Sequence, residues 1–213
     1  MHVIHIQAKH LVASLGLAAK GDIRYYLNGV YFECWPNETR LVATDGHALG
    51  VFRDEQDNVF DGATPTVKFI LPRQAIESLK LTKSETQKYT LTIELDGRAG
   101  TIIANNTRIM FETVDGHFPD YRRVVPAKTD GTPGQIDPEL LARMKKVSLT
   151  LGDAKGYMHV AHNGKDAALV TLHHNNFVGV VMGWRDMQPT DHSWTLREPD
   201  QPQAVKPKLQ KVA

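Results

Sequence analysis

A chain of 213 residues, 41% of them hydrophobic, is long enough for one or two globular domains with cores of their own. With 25 Lys+Arg against 24 Asp+Glu, bulk charge gives no attraction for nucleic acid, so any such contact must rest on locally sorted cations. A single cysteine, Cys34, excludes an intramolecular disulfide and a cysteine-rich zinc site, and reads as a small buried hydrophobe in a reducing cytoplasm. The opening Met1–Gln7 carries no signal-peptide pattern, and no apolar run is long enough to span a bilayer. A cytoplasmic protein without a membrane partner is therefore expected.

Taken in chain order, hydrophobic periodicity predicts a strand at Ile6, a helix from Ala8 to Ala19, and strands at Tyr25–Cys34, Arg40–Thr44 and Leu49–Arg53. The same order returns with a strand at Lys68–Leu71, a helix at Pro72–Lys80 and strands at Tyr89–Leu95, Ala99–Ala104 and Arg108–Thr113. A third copy opens at Gln135, with a helix at Pro138–Val147 and strands at Leu149–Leu151, Tyr157–His162, Ala167–His173 and Phe177–Trp184. The helix starts recur about every 65 residues, which reads as a repeated β-α-β-β-β unit with its helix on one face of an antiparallel sheet, an α+β fold. Residues 1–126 form a domain of two units, 127–134 a linker with Gly131, Pro133 and Gly134, 135–186 a third half-domain unit, and 187–213 a Pro-, Gln- and Lys-rich tail expected to be disordered.

Proline marks the helix starts, since Asp137-Pro138 reads as an N-cap followed by proline at the first helical position, and Leu71-Pro72 places proline likewise. In the third helix Leu140, Leu141, Met144 and Val147 make an apolar stripe, with Arg143, Lys145 and Lys146 turned outward. The second buries Ile76 and Leu79 and leaves Arg73 and Lys80 free; the first buries Leu11 and Leu15 and turns Lys9 and His10 out. One basic helix face is ordinarily a solvated surface, but three with the same bias are less easily dismissed as that. Thr44-Asp45-Gly46-His47 is a tight turn, with Gly46 at positive φ and Asp45 bonded to its own backbone. Tyr25 and Tyr26 fall on opposite faces of a strand, one core and one exposed. Asp45-Gly46-His47 and Asp115-Gly116-His117 pair carboxylates with histidines, yet neither spacing supplies the converging ligands of a metal site or an oriented catalytic histidine. No catalytic residue, metal or cofactor is assigned, and the chain reads as a non-enzyme.

Three strings, Asp22-Ile-Arg-Tyr-Tyr-Leu-Asn-Gly29, Thr44-Asp-Gly-His-Ala-Leu49 and Phe118-Pro-Asp-Tyr-Arg-Arg123, occur in this order together with Leu71-Pro72-Arg73. Over Asp22–Val125 the chain resembles the middle domain of the bacterial DNA polymerase III beta subunit, the sliding-clamp family. From Ile136 to Arg185 it resembles the C-terminal half of that family's last domain. Val180-Val-Met-Gly-Trp-Arg185 stands where the family closes with Val-Val-Met-Pro-Met-Arg, so glycine and tryptophan replace proline and methionine, and Ala48 replaces a usual arginine. This shortened architecture suggests a phage or mobile-element origin.

The resemblance implies a DNA-replication processivity factor. It implies double-stranded DNA, contacted without regard to sequence, and peptides of polymerases and clamp loaders as partners. The peptide groove carried over comprises Arg24, Leu27, Thr44, Gly46, His47, Leu49, Pro119, Arg123, Val124, Val180, Met182, Trp184 and Arg185. The DNA-facing set comprises Lys9, Tyr25, Tyr26, Arg73, Lys80, Arg143, Lys145 and Lys146. Because the family builds each domain from two units, a third unit is expected to pair with that of another chain across a twofold. The result would be an even-numbered homo-oligomer, a dimer or a ring-forming tetramer. The alternative is an adaptor or competitor in which the third unit docks on its own domain and binds clamp-seeking peptides without encircling DNA.

Overall fold

The computed structural model describes residues 1–62, 64–184 and 192–196. Strand alternation is set by residues such as Leu91, Ile93 and Leu95, all buried, between outward Thr90, Thr92 and Glu94. Among the described residues thirteen strands and four α-helices follow in order: β1 His2–Gln7, α1 Ala8–Leu15, β2 Gly29–Trp35, β3 Glu38–Thr44, β4 Ala48–Asp54, β5 Val67–Pro72, α2 Arg73–Glu77, α3 Lys83–Lys88, β6 Thr90–Asp96, β7 Ala99–Ala104, β8 Thr107–Glu112, β9 Gln135–Ile136, α4 Pro138–Leu151, β10 Met158–Ala161, β11 Ala168–Leu172, β12 Phe177–Val181 and β13 Gly183–Trp184.

The first two units exchange their opening strands. β1 of unit one lies antiparallel on β6 of unit two, with Ile6 opposite Leu91, and β5 of unit two lies on β2 of unit one, with Leu71 opposite Val30. One sheet thus runs β1-β6-β7-β8. The other extends from β5 through β2, β3 and β4 into the third unit, giving the order β10-β11-β12-β4-β3-β2-β5, with β13-β9 as a separate pair.

The joint between units is the β4–β12 ladder, where Phe52 faces Phe177, Gly50 faces Gly179 and Leu49 faces Val180. Paired glycines let the segment just after α1 and helix α4 lie directly on this seam. A Cβ on Gly50 would sit 2.4 Å from Leu17 Cδ1, and one on Gly179 3.0 Å from Met144 Sδ. One continuous core therefore joins Ile4, Leu11, Phe32 and Leu91 to Met144, Val147 and Phe177 of the third unit. The expected linker is strapped down as well, with Gly131 N–H donating to His162 O (3.1 Å) and Gly164 N–H to Thr132 O (2.8 Å).

Several expected elements shift for local physical reasons. α1 stops at Leu15 with Gly16 as its C-cap rather than at Ala19. Tyr25–Leu27 is a 3-10 turn rather than strand, so the two tyrosines do not alternate; Tyr25 is exposed, Tyr26 half-buried, and their rings meet edge to face at 5.7 Å. Pro72 is the N-cap of α2, one position before the expected site, whereas Asp137 caps α4 by accepting from Glu139 N–H (2.8 Å) with Pro138 next. Leu149–Leu151, expected as strand, is the last turn of α4, closed by Gly152 at φ +108°. α3 was not foreseen, although Thr82 and Glu85 form a reciprocal capping box, a Thr-x-x-Glu signal open to reading. His10 turns inward rather than out, its Nδ1 2.8 Å from Asp54 Oδ2 in a fully buried pair. In the expected tail Ser193–Leu196 forms a 3-10 turn; the rest of 187–213 lies outside the described residues, apart from His192.

Candidate peptide-binding groove

On the sheet face opposite the helices, Ala19, Leu27, Val42, Leu49, Ile70, Phe118, Tyr121 and Val180 form a second apolar cluster. Leu27, Leu49 and Val180 are its buried floor rather than free walls. Leu49 and Val180 are cross-strand partners, so two distant stretches of sequence meet only because β12 pairs with β4.

The Thr44–His47 turn forms one rim. Thr44 Oγ1 donates to Ala48 O (2.7 Å) and accepts from Gly46 N–H (3.0 Å), while Asp45 Oδ1 accepts from the amides of His47 (2.9 Å) and Ala48 (3.0 Å). Gly46 sits at φ +96° beneath the Arg24 guanidinium, 3.1 Å from where its Cβ would be. Arg24 is aimed by a fork to Asp22 (Nε 3.0 Å, Nη2 2.7 Å) and by a bond to Asp45 O (3.0 Å). That fork holds the Asp22 carboxyl down to about 2. His47 is exposed, and its carbonyl accepts from Met182 N–H (3.0 Å), which stitches the rim to the third unit.

Beside the rim, His47, Leu140, Met182 and Trp184 line an open cleft with Asp45 and Arg143. Trp184 is 54% exposed. Arg143, expected to face outward, is a brace here, donating to Asp45 Oδ2 (2.6 Å), Leu17 O (3.2 Å) and Gly16 O (3.4 Å). Burial would raise the Asp45 pKa, but the amides of Ala48 and His47 and the Arg143 guanidinium outweigh it and keep the pKa below the ordinary carboxylate range. Leu140, Asp137 and Glu139, absent from the expected set, also line this cleft. The helix periodicity put Leu140 on the core stripe, and nothing in the sequence indicated that α4 would begin beside β13.

The 118–125 segment, expected to supply a further wall, is stapled to the same sheet face. Phe118 stacks on Tyr31 with centroids 4.9 Å apart, Tyr121 Oη donates to Glu33 Oε2 (3.1 Å), and Arg122 also bonds Glu33. Pro119, Arg123 and Val124 stand exposed on this segment. Arg185 lies outside the described residues.

Of the expected DNA-facing residues, Tyr25, Lys80, Lys145 and Lys146 are exposed and Lys9 and Tyr26 are half-buried. Arg73 is not free. It binds the last carbonyls of the α1 region, Leu15 O (2.9 Å), Ala18 O (2.6 Å) and Ala19 O (2.9 Å), because α2 starts where α1 ends. Among the described residues no group of three or more His, Cys, Asp or Glu is placed to hold a metal, and no helix is long and apolar enough to cross a membrane.

A family model for the central domain of the DNA polymerase III beta subunit matches residues 6–120, more than half of the chain. The chain belongs to the DNA polymerase III beta subunit family. The beta sliding clamp of Salmonella typhimurium is 33% identical over 123 residues, covering 57% of this chain and 32% of its own length. That of Vibrio cholerae is 36% identical over 115 residues, covering 54% and 30%. The chain thus spans about a third of the length of these curated relatives.

Solved clamps align over more of it. A sliding clamp from Pseudomonas aeruginosa superposes with a TM-score of 0.64 at 21% identity, covering 86% of this chain and 66% of that one. The DNA polymerase III beta subunit of Thermotoga maritima gives 0.65 at 18% identity, covering 88% and 66%. A P. aeruginosa clamp bound to griselimycin gives 0.60 at 21% identity, covering 86% and 65%. These alignments reach well past what residues 6–120 supply, so the clamp fold includes the third unit.

Proposed function

We propose that this beta-subunit relative is a sliding-clamp-like replication protein. In this reading its groove captures a short peptide of a DNA polymerase or clamp loader, and its helical face meets duplex DNA without regard to sequence. The observation that carries the reading is the pairing of β12 with β4, which sets Leu49 beside Val180 and ties His47 to Met182 within a single chain. A peptide site needs an apolar floor for anchor side chains and polar groups at the rim to orient the backbone. Leu27, Leu49 and Val180 supply the first, Arg24, Thr44 and Arg123 the second. Trp184 in place of methionine offers a larger, stiffer surface, which favours an anchor that stacks. The related P. aeruginosa clamp solved with griselimycin supports a ligand-accepting surface on this fold.

Fluorescence anisotropy with a labelled clamp-binding peptide tests the groove. Met182→Ala and His47→Ala touch exposed or half-exposed side chains and should weaken binding at least tenfold while the fold persists; unchanged affinity in both sinks the assignment. The buried Leu49 is unsuited to this test, since its truncation would remove core. The adaptor reading has its own support, because the third unit shares core and sheet with the first and completes the groove without any ring. Retention on nicked circular DNA that is lost on linearisation favours a ring; peptide binding without such retention favours the adaptor.

A further inference from the structure

Units one and two show how one unit completes another, and the third unit carries the same edges without a mate. In each complete unit the opening strand has two neighbours. One side touches the segment after its own last strand: Val3 bridges Val59 in unit one, and Val114 N–H bonds Ile70 O (3.0 Å) in unit two. The other side pairs with the second strand of the sister unit.

In unit three the first contact is present, as β9 on β13, with Ile136 opposite Gly183. The second is missing among the described residues. β10 is the terminal strand of the seven-stranded sheet, and β9 pairs with nothing but β13 among the described residues. The consequence shows in burial. The matching inward residues of the complete pair, Ile6, Leu91, Leu71 and Val30, are all fully buried, whereas Ile136, Leu140, Met158, Val160 and Leu172 are only partly covered. A half-covered apolar face bounded by two open strand edges is the surface a sister unit would fill.

We infer that the mate is the third unit of a second copy, joined across a twofold by the strand exchange seen between units one and two. The register follows from those units. In both, the residue just before the helix-flanking position, Ile6 before Gln7 and Leu71 before Pro72, faces an inward residue near the start of the sister's second strand, Leu91 or Val30. In unit three the helix-flanking residue is Asp137 and the first inward residue of β10 is Met158. Ile136 therefore lies opposite the second copy's Met158, Gln135 opposite its His159 and Gly134 opposite its Val160. The twofold makes the contact self-complementary, so both copies close their open edges at once. This deepens the clamp reading by naming the partner that turns half a domain into a whole one; it uses the edge of β9 opposite β13, and of the residues named for the two surfaces only Leu140 is common to this face and the cleft beside Trp184.

Sedimentation equilibrium of the whole chain should show a dimer. Ile136→Asp or Met158→Asp should weaken self-association about tenfold or more, from the lost apolar burial. Because either change could also unfold the unit, the register is read separately by mixing single variants under mild oxidation. Gln135→Cys with His159→Cys should give a covalent dimer, and Gln135→Cys with Val160→Cys, out of phase, should not. A wild-type monomer at high concentration overturns the inference, as does equal cross-linking in both mixtures. A monomer that still binds the labelled peptide refutes this inference alone; a dimer that binds none refutes the groove alone.

Discussion

Glu33 lies beneath the 118–125 segment, and removing its carboxylate should loosen that segment by a magnitude the contacts allow to be worked out. Its side chain is 3% exposed on β2 and accepts from Tyr121 Oη (3.1 Å), Lys68 Nζ (3.1 Å) and Arg122. In Glu33→Ala the buried Tyr121 hydroxyl loses its acceptor, at a cost of about 1–3 kcal/mol. Lys68 and Arg122, at 55% and 48% exposed, turn to water, so each lost ion pair adds only about 0–1 kcal/mol. The sum is a loss of about 1–5 kcal/mol in urea unfolding at neutral pH, with Tyr121→Phe costing about 1 kcal/mol as the control.

The network also has a pH signature. Burial pushes the Glu33 pKa up, but the bonds from Arg122 and Lys68 more than offset this and set it below the ordinary value. A folded-state pKa below the unfolded one gives stability that is present above the unfolded value, about 4.3. It is lost as pH falls through the folded value. Wild type should therefore shed part of its stability below about pH 4, and Glu33→Ala should flatten that acid limb. A loss under about 1 kcal/mol with an unchanged acid limb would refute the stapled-segment account.

Other outcomes follow from close contacts. Gly50→Ala places a methyl 2.4 Å from Leu17 Cδ1 and 3.1 Å from Phe52 and Phe177, so chemical denaturation should show about 1–3 kcal/mol of destabilisation, centred on the joint between units. Arg143→Ala removes the half-buried brace from α4 to Asp45 and Leu17 O; about 1–2 kcal/mol should be lost, with faster amide exchange in α4 before the first domain opens. Gly134→Ala would set a Cβ 2.0 Å from Gly164 O, a backbone clash that should lower the melting temperature and expose the 131–134 strap to proteolysis.

Much of the fold was legible because local rules and global packing agree. The alternating Thr90–Leu95 segment reads as a strand and is one, and Asp137-Pro138 marks a helix start that the cap bond confirms. Legibility failed where long-range partners decide. Lys9 and His10 look alike as outward polar residues on a helical wheel, but the buried Asp54 at the end of β4 draws His10 in. Arg73 and Arg143 look like free cations on amphipathic helices. Both are captured by carbonyls at the end of α1, which presents unsatisfied acceptors to whichever guanidinium packs beside it.

By itself the sequence determined the repeated unit, the caps and turns that bound it, and the strings that carry the clamp likeness, because these depend on neighbours within a few residues. Only the tertiary structure decided that β12 pairs with β4, that Leu49 meets Val180, and that Arg143 braces Asp45 instead of facing solvent. Those outcomes join residues about a hundred or more positions apart. Strand pairing is set by the burial of a whole sheet face rather than by any local signal, so only the assembled core could choose among the edges the sequence left open.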